Sequence, residues 1–288
     1  ACQPGAALAL ADGDWLFPTY RDTAAVIARG VDPVEVLTLL KGDWHAGYDP
    51  YAHHVAPQAT PLATQLLHAV GVAHAARLRG EKTVVMALCG DGATSEGDFH
   101  EALNFAAVFR APVVFFVQNN EYAISVPLAR QSAAPSLAHK GVGYGVNGER
   151  VDGNDVAAVL AVLDRAVATA RSGGGPQLVE AHTYRMQAHT NADDASRYRS
   201  EDEVDPWVAR DPLLRMEAFL KKKRVLTKAR RAEITERAEA VAAHMREGVN
   251  QDVEPDTADL FAHVFAAPTP QLTEQAAFLA DELSREGH

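Results

Sequence analysis

Two groups of polar residues follow apolar runs that have the length of buried strands. Asp91 lies between two glycines shortly after TVVMAL (83–88), and Asn119–Asn120 directly follow PVVFFVQ (112–118). A carboxylate, an amide oxygen and a nearby backbone carbonyl suit Mg²⁺, which proteins usually share with the phosphates of a substrate. Gly-Asp-Gly alone is most often a plain turn, so the indication of a metal–phosphate site depends on the asparagine pair.

Helical and strand-like segments alternate around these residues. Runs that are apolar throughout are typical of strands buried on both faces of a parallel sheet, and Ala-rich segments with apolar spacing near 3.6 are typical of helices. The predicted strands are 83–88, 112–118 and 176–185, and the predicted helices are 23–30, 63–80, 98–110 and 156–173. This alternation predicts an α/β fold with a doubly wound, mostly parallel sheet.

Such a fold would bring the polar residues together. Asn120 lies 29 positions after Asp91, which is about the length of one strand–helix–strand unit. Right-handed crossovers place the carboxyl ends of both strands at one edge of the sheet, where open α/β sheets bind ligands. The intervening helix is predicted to be capped by Ser95 with Asp98 and to stop before Pro112, so its positive dipole end adds to an anion site.

The composition divides the chain into two parts. Residues 1–206 carry the alternating pattern and predict one α/β domain, whereas residues 207–288 are highly charged and predict a helical C-terminal extension. Within the first part, residues 187–206 are polar and predict a long loop. The 288 residues, 47% of them hydrophobic and 23% charged, have an ordinary globular composition.

Charge and cysteine content restrict partners and compartment. A net charge of −11 argues against nucleic acid or an anionic membrane as a partner, and the basic run 221–231 is interpreted as a solvated helix face. No apolar stretch reaches the roughly 18 residues of a membrane span. Two cysteines form no disulfide framework, which favours the bacterial cytoplasm as the location. The mitochondrial matrix remains an alternative location, because the chain begins at Ala1 without a methionine and its N-terminus is interpreted as trimmed.

The segments around Asp91 and Asn120 resemble a known family. GDG followed within thirty residues by NN is similar to the thiamine diphosphate fingerprint. The segments GDGATSEGDFHEALNFAAVF, QNNEYAISVP, RVDGNDV, TYRMQAHTNADDASRYRS and FPTYRD together resemble the alpha subunit of the thiamine diphosphate-dependent 2-oxo acid dehydrogenases. The likeness extends from residue 1 to about residue 220 and implies the thiamine diphosphate-binding fold with thiamine diphosphate and Mg²⁺ as cofactors.

The resemblance implies roles for individual residues. Asp91, Asn120 and the backbone carbonyl of Tyr122 are implied to hold Mg²⁺, and His189 is implied to act as a general acid or phosphate partner near the reacting carbon. Arg21 suits the diphosphate because a guanidinium pairs with phosphate oxygens. The implied cofactor contacts are Tyr20, Arg21, Thr60, Leu62, Gly90, Asp91, Gly92, Ala93, Gln118, Asn120, Tyr122 and His189.

The segment ATPLATQ (59–65) resembles the part of the branched-chain members that binds K⁺. The implied ligands are the carbonyls of Ala59 and Pro61 and the side chains of Thr64 and Gln65, all neutral oxygens that suit a monovalent ion. Leu62 is implied to be the apolar support that keeps the thiamine bent.

Two positions depart from relatives. Gln118 stands where some relatives carry Arg, so one phosphate contact is missing and Arg21 is expected to carry more of the binding. Thr190 stands where animal relatives have a phosphorylated serine, which leaves kinase control open at Thr190 and at Ser200.

The resemblance implies one half of a two-chain enzyme. The glutamate that activates thiamine belongs to the beta subunit in this family and has no candidate in this chain, so the active site is expected at an interface of an α2β2 heterotetramer. The implied reaction decarboxylates a 2-oxo acid and reductively acylates a lipoyl group on the dihydrolipoyl acyltransferase core. PLATQ and HTNADD favour branched-chain substrates, with pyruvate as the alternative; a non-catalytic subunit for cofactor binding or assembly is an alternative of another class.

Overall fold

The computed structural model describes residues 1–42, 47–251 and 256–286. The strands are β1 (Trp15–Phe17), β2 (Val85–Gly90), β3 (Val113–Asn119), β4 (Tyr122–Ala123), β5 (Val126–Pro127), β6 (Asn147–Asp152) and β7 (Gln177–His182). The helices are α1 (Cys2–Leu8), α2 (Thr23–Ala28), α3 (Pro33–Lys41), α4 (Pro50–His53), α5 (Thr64–Leu78), α6 (Gly97–Phe109), α7 (Val156–Thr169), α8 (Glu201–Val208), α9 (Pro212–Lys222), α10 (Lys228–Val249), α11 (Asp259–Ala262) and α12 (Pro270–Glu286).

One parallel sheet organises the first part of the chain. Its strand order is β1-β2-β3-β7-β6, and every neighbouring pair is parallel. A separate antiparallel pair, β4 and β5, follows β3. Helices lie between the strands in the chain, as the alternating pattern predicts. The predicted α/β fold with a mostly parallel sheet is therefore confirmed.

Alternate residues of the central strands pack on opposite faces of the sheet. In β3, Val114 and Phe116 belong to a core that includes side chains of α1 and α7, whereas Val113, Phe115 and Val117 belong to a core that includes side chains of α5 and α6. All five side chains are fully buried. A strand buried on both faces has no polar position, which explains why this run is apolar throughout.

Four strands and one cap differ from the sequence predictions. β1, β4, β5 and β6 were not predicted. β6 lies at the edge of the sheet with mostly exposed side chains, so its sequence (NGERVD) lacks an apolar run. The predicted cap of α6 is wrong, because its N-cap is Glu96 and no side chain caps it. Asp98 instead accepts a hydrogen bond from Thr64 Oγ1 at 2.9 Å.

The predicted loop 187–206 is wrong in its second half, because α8 begins at Glu201. Ser200 and Glu203 form a capping box at the start of this helix, a pattern that the sequence contains as S-x-x-E. Trp207 of α8 stacks on Tyr184 with ring centres 5.3 Å apart. The helix is therefore held by aromatic packing against the segment that follows β7.

The C-terminal part of the chain is helical, as predicted. The chain separates into two compact units, Ala1–Met245 and Arg246–His288, and the second contains α11 and α12. The domain boundary after residue 206 stays a prediction. Within the described ranges, no helix combines the length and apolar character that crossing a membrane requires.

Candidate functional site

The carboxyl ends of β2 and β3 bring Asp91 and Asn120 together. Gly90 pairs with Gln118 in the sheet, so the residues that follow the two strands emerge side by side. The backbone N–H of Asn120 donates a hydrogen bond to Asp91 Oδ1 at 3.3 Å. The juxtaposition that the spacing predicts is therefore present at the carboxyl edge of the sheet.

A cavity of about 420 Å³ lies at this edge. Its lining includes most residues that the resemblance implies as cofactor contacts: Tyr20, Arg21, Leu62, Gly90, Asp91, Gly92, Ala93, Gln118, Asn120, Tyr122 and His189. Thr60 lies outside this lining, as do Ala59, Pro61, Thr64 and Gln65. The implied magnesium and diphosphate residues thus share one space, and the implied potassium ligands lie apart from it.

Asp91 is a buried carboxylate that has no cationic partner in the part of the chain that the structure describes. The residue is 1% exposed, and burial raises the pKa of its carboxyl. Its oxygens accept hydrogen bonds from the backbone N–H of Asn120 and from Gln131 Nε2, both at 3.3 Å. It takes part in none of the ion pairs among the described residues. Because an isolated buried charge is costly, this geometry fits a bound cation.

The turn after β3 carries two further oxygen atoms that are free to accept a second partner. Asn120 Oδ1 accepts a hydrogen bond from the Tyr122 amide at 3.3 Å, and the Tyr122 carbonyl accepts one from Arg185 Nη1 at 3.1 Å. A carbonyl oxygen has a second lone pair, so both atoms can also bind a metal. Among the described residues, no group of three or more His, Cys, Asp or Glu could hold a metal. A single carboxylate with neutral oxygens fits Mg²⁺ that also binds phosphate oxygens of a ligand.

Gly92 lies where the turn after β2 approaches β4 closely. A Cβ atom at this position would be 2.9 Å from the Cβ of Ala123, so a larger residue would displace the turn. The short 3-10 turn Gly92–Ser95 lines the cavity through Gly92, Ala93 and Ser95, and α6 begins at Gly97. Free N–H groups at the start of a helix suit an anion such as a diphosphate.

The segment before α2 contributes an exposed cation and a buried acid. The Arg21 guanidinium lies 5.2 Å from the centre of the Tyr20 ring. Asp22 is 1% exposed, burial raises the pKa of its carboxyl, and its Oδ1 accepts a hydrogen bond from Gln118 Nε2 at 2.6 Å. Gln118, the position at which some relatives carry Arg, is therefore oriented in the cavity by a buried acid.

His189 lies on the loop that reaches the cavity from the other side. Its backbone N–H donates to Asp193 Oδ2 at 2.7 Å, and Arg185 Nη1 lies 3.5 Å from its Nδ1. Burial lowers the pKa of the imidazole, the charges of Arg21 and Arg185 lower it further, and Asp193 opposes them. A lowered pKa favours the neutral ring, which has one proton to donate. Because Arg185 can only donate, its approach to Nδ1 favours the tautomer that carries the proton on Nε2.

The implied potassium segment contains one unsatisfied oxygen. Gln65 Nε2 donates to the Leu88 carbonyl at 2.8 Å, which fixes the side-chain amide. Gln65 Oε1 is buried and accepts no hydrogen bond from any described residue. Buried amide oxygens are normally paired, so this atom fits a monovalent cation of the kind that the resemblance implies. Thr64 Oγ1 is directed to Asp98, as described above.

Arg185 lines the cavity but was not singled out in the sequence. It donates to the carbonyls of Tyr122 at 3.1 Å and Ile124 at 2.5 Å, and to the Tyr198 hydroxyl at 2.9 Å. Ile124 itself has a φ of +55°, a left-handed conformation that is strained for a β-branched residue and is typical of functional sites. Other lining residues that were missed are Gln3, Thr19, Asp22, Ser95, Glu96, Ala123, Val126 and Gln131.

A buried arginine holds the loop that carries His189. Arg199 is 8% exposed and donates to three successive backbone carbonyls, those of Arg185, Met186 and Gln187. The Tyr198 hydroxyl donates to Asp193 Oδ2 at 2.5 Å, which also accepts from the His189 amide. These bonds give a polar segment fixed contacts that its composition does not reveal.

Comparisons with known proteins agree with this geometry. The family model described as "Dehydrogenase E1 component" matches residues 1–257. A protein of Mycobacterium tuberculosis (strain CDC 1551 / Oshkosh) named "3-methyl-2-oxobutanoate dehydrogenase subunit alpha" is 48% identical over 285 residues, which cover 99% of this chain and 78% of that protein. A Staphylococcus aureus (strain Mu50 / ATCC 700699) protein named "Pyruvate dehydrogenase E1 component subunit alpha" is 36% identical over 288 residues, covering 99% and 77% respectively.

Proposed function

Because the chain belongs to the dehydrogenase E1 component family, we propose that it decarboxylates branched-chain 2-oxo acids with Mg²⁺ and thiamine diphosphate. At the family level it is the alpha subunit of a 2-oxo acid dehydrogenase, which uses thiamine diphosphate and acts with a beta subunit. The observation that carries the proposal is one cavity, at the carboxyl edge of the sheet, lined by Asp91, Asn120, Arg21 and His189.

The residues of the cavity fit the cofactor and its metal. Asp91 Oδ1 or Oδ2, Asn120 Oδ1 and the Tyr122 carbonyl would hold Mg²⁺, since Asp91 is a buried carboxylate without a counter-ion. The turn that begins at Gly92 and the guanidinium of Arg21 would contact the diphosphate. When bound, thiamine diphosphate supplies the nucleophilic carbon and the electron sink for decarboxylation. The chain supplies binding, orientation and a proton held at His189 Nε2.

A potassium ion beside α5 is part of the proposal. The unpaired Gln65 Oε1 supports it, because a buried oxygen of this kind is stabilised by a cation. The carbonyls of Ala59 and Pro61 and the hydroxyl of Thr64 would complete the ligand set. This ion would stabilise the start of α5 and the position of Leu62 in the cavity.

The preference for branched-chain substrates is supported by the lining of the cavity. Leu62, Ile124 and Val126 line it and are 45%, 58% and 42% exposed, so they offer apolar surface to a ligand. Each buried methylene contributes about 0.8 kcal/mol. Burial of the two additional carbons of 3-methyl-2-oxobutanoate against these side chains would therefore favour it over pyruvate by about tenfold in kcat/KM.

The proposed assembly is an α2β2 heterotetramer that passes the acyl group to a lipoyl domain of a dihydrolipoyl acyltransferase. It is supported by the relatives that are named alpha subunits and by the resemblance, in which the activating glutamate belongs to the beta subunit. His189 would serve the transfer to the lipoyl group, since its loop lies at the cavity and its neutral ring can give a proton.

The test is reconstitution with the beta subunit. We expect no turnover by the purified chain alone and CO₂ release from 3-methyl-2-oxobutanoate, faster than from pyruvate, when the beta subunit, Mg²⁺ and thiamine diphosphate are added. Faster CO₂ release from pyruvate would show that pyruvate is the preferred substrate and that the branched-chain assignment is wrong. An assembly that binds the cofactor but releases no CO₂ from either acid would support the alternative, a non-catalytic cofactor-binding or assembly subunit.

A further inference from the structure

Lys140 contacts the turn Gly92–Ser95 but does not line the cavity. Its Nζ donates to the Thr94 carbonyl at 2.8 Å and to Thr94 Oγ1 at 2.9 Å. Thr94 is 1% exposed, and its hydroxyl donates to the Asp91 carbonyl at 2.8 Å. A continuous set of hydrogen bonds therefore joins Lys140 to the backbone of Asp91, the residue that follows β2.

Among the described residues, the ammonium of Lys140 has no acidic partner. It is half-buried, burial lowers its pKa, and it takes part in none of the ion pairs among the described residues. Its nearest ring is that of Phe99, whose centre lies 5.9 Å from Nζ. A charge that is partly removed from water without a counter-ion is costly, so its position needs another explanation.

The cavity lined by the same turn supplies that explanation. Gly92, Ala93 and Ser95 line the cavity in which we place the diphosphate, whereas Lys140 does not line it. A positive charge bonded to the turn attracts an anion bound at the turn, and the interaction is stronger than in water because a protein interior screens charges less. The hydrogen bonds to Thr94 also fix the direction of the turn's N–H groups.

We propose that Lys140 is a positioning residue for the diphosphate of the cofactor, which it serves by fixing the turn Gly92–Ser95 and by balancing the charge of the bound phosphates. This inference rests on the proposed function, since it assumes that the cavity binds a diphosphate. The competing explanation is that Lys140 only attaches the segment Ala138–Tyr144 to the turn.

The two explanations differ in what the substitution Lys140→Met should do. The methionine keeps an apolar stem beside Phe99 and removes the charge. Under our proposal, the affinity for phosphate ligands falls, so the melting temperature falls more with ligand than without it. A purely structural contact would instead lower the melting temperature equally with and without ligand.

The experiment uses the chain assembled with its beta subunit and two probes, Mg²⁺ with thiamine diphosphate and Mg²⁺ with inorganic pyrophosphate. We expect Lys140→Met to raise the Kd of both probes by about tenfold, because the charge acts on the phosphates that the probes share. Lys140→Arg should restore both to within about threefold of wild type, since it keeps the charge. Lys222→Met, an exposed lysine of α9, serves as the matched control and should change neither Kd.

Each outcome decides the inference. Equal Kd values for pyrophosphate in wild type and Lys140→Met would overturn it, as would an equal fall in melting temperature with and without ligand. Should Lys140→Met fail to assemble, Thr94→Val removes one of the two acceptors and should weaken both probes by about threefold. A wild-type assembly that binds neither probe would overturn the proposed function and this inference together, which distinguishes the two failures.

Discussion

The residues at the ends of β2 and β3 and the residues of the loop 185–199 reach the same cavity by different means. Asp91 and Asn120 are placed by sheet pairing, in which many backbone hydrogen bonds fix the register of two fully buried strands. His189 is placed by a few side-chain bonds, chiefly those from Arg199 to three backbone carbonyls. The strand ends are therefore supported by the whole core, and the loop depends on single residues.

This difference determines what a single substitution can do in each region. At the strand ends, a change removes a chemical group and leaves its position intact, because the sheet does not depend on it. In the loop, a change at a residue that never touches a ligand can displace one that does. We therefore expect affinity to be lost at the strand ends and order to be lost in the loop.

The largest effect is expected for Asp91→Ala. It removes the only carboxylate among the implied Mg²⁺ ligands, so Mg²⁺ and thiamine diphosphate should no longer bind. A ligand at 100 times its Kd stabilises the native state by about 2.7 kcal/mol. Adding both should therefore raise the melting temperature of the wild-type assembly and leave that of the variant unchanged.

A matched control separates this loss from general damage. Asp164→Ala changes an exposed acid on α7 and should keep the full increase in melting temperature. An equal increase in melting temperature for Asp91→Ala and wild type would show that Asp91 does not bind the metal. Affinity would then not depend on the residue that follows β2.

Arg199→Met should have the next largest effect, confined to the loop. Hydrogen bonds to a charged group contribute about 1.5–3 kcal/mol, so loss of the guanidinium releases the carbonyls of Arg185, Met186 and Gln187. Amide hydrogen exchange should become at least about tenfold faster over residues 186–199 and stay unchanged in β2 and β3. Arg197→Met, an exposed neighbour, is the control; protection of the loop that survives Arg199→Met would show that the loop does not depend on this residue.

The same contrast explains what could be predicted from the sequence. A buried parallel sheet leaves an apolar run for each central strand, and the polar residues after those runs must meet at one edge, so Asp91 and Asn120 were found. The same reasoning would have found Arg185, which ends the predicted strand 176–185. The edge strand β6 leaves no such run. Gln131 and Arg199 could not be found, because neither follows a predicted strand and their contacts depend on the tertiary structure. Gln131 donates to Asp91 Oδ2 and to the Val126 carbonyl, and Arg199 donates to three backbone carbonyls.

The segment 59–65 belongs to neither region, since it precedes α5 instead of following a strand. If K⁺ binds there, adding K⁺ in place of a larger cation should stabilise the wild-type assembly by about 1 kcal/mol or more, because it pairs the buried Gln65 Oε1. Gln65→Met has a similar shape and removes that oxygen, so the stabilisation by K⁺ should disappear. Thermal melts in K⁺ and in tetramethylammonium test this. Stabilisation by K⁺ that persists in Gln65→Met would show that the ion binds at another site.

The smallest effect concerns the pH dependence of the loop. Burial lowers the pKa of His189 in the folded chain, with further lowering by Arg21 and Arg185, whereas the unfolded chain has the ordinary value of 6.5. As the pH falls below 6.5, the unfolded state binds more protons at this residue than the folded state does, so stability falls until the pH reaches the folded pKa. His189→Gln keeps a polar side chain and cannot titrate, and it should therefore lose less stability than wild type between pH 7.5 and about pH 5.5.

Urea unfolding of the assembly at the two pH values measures the difference, with His263→Gln, an exposed histidine, as the control that should behave as wild type. An identical loss in wild type and His189→Gln would show that the imidazole is not held in a desolvated, positively charged environment, and the loop would then be as open to water as its polar composition suggests.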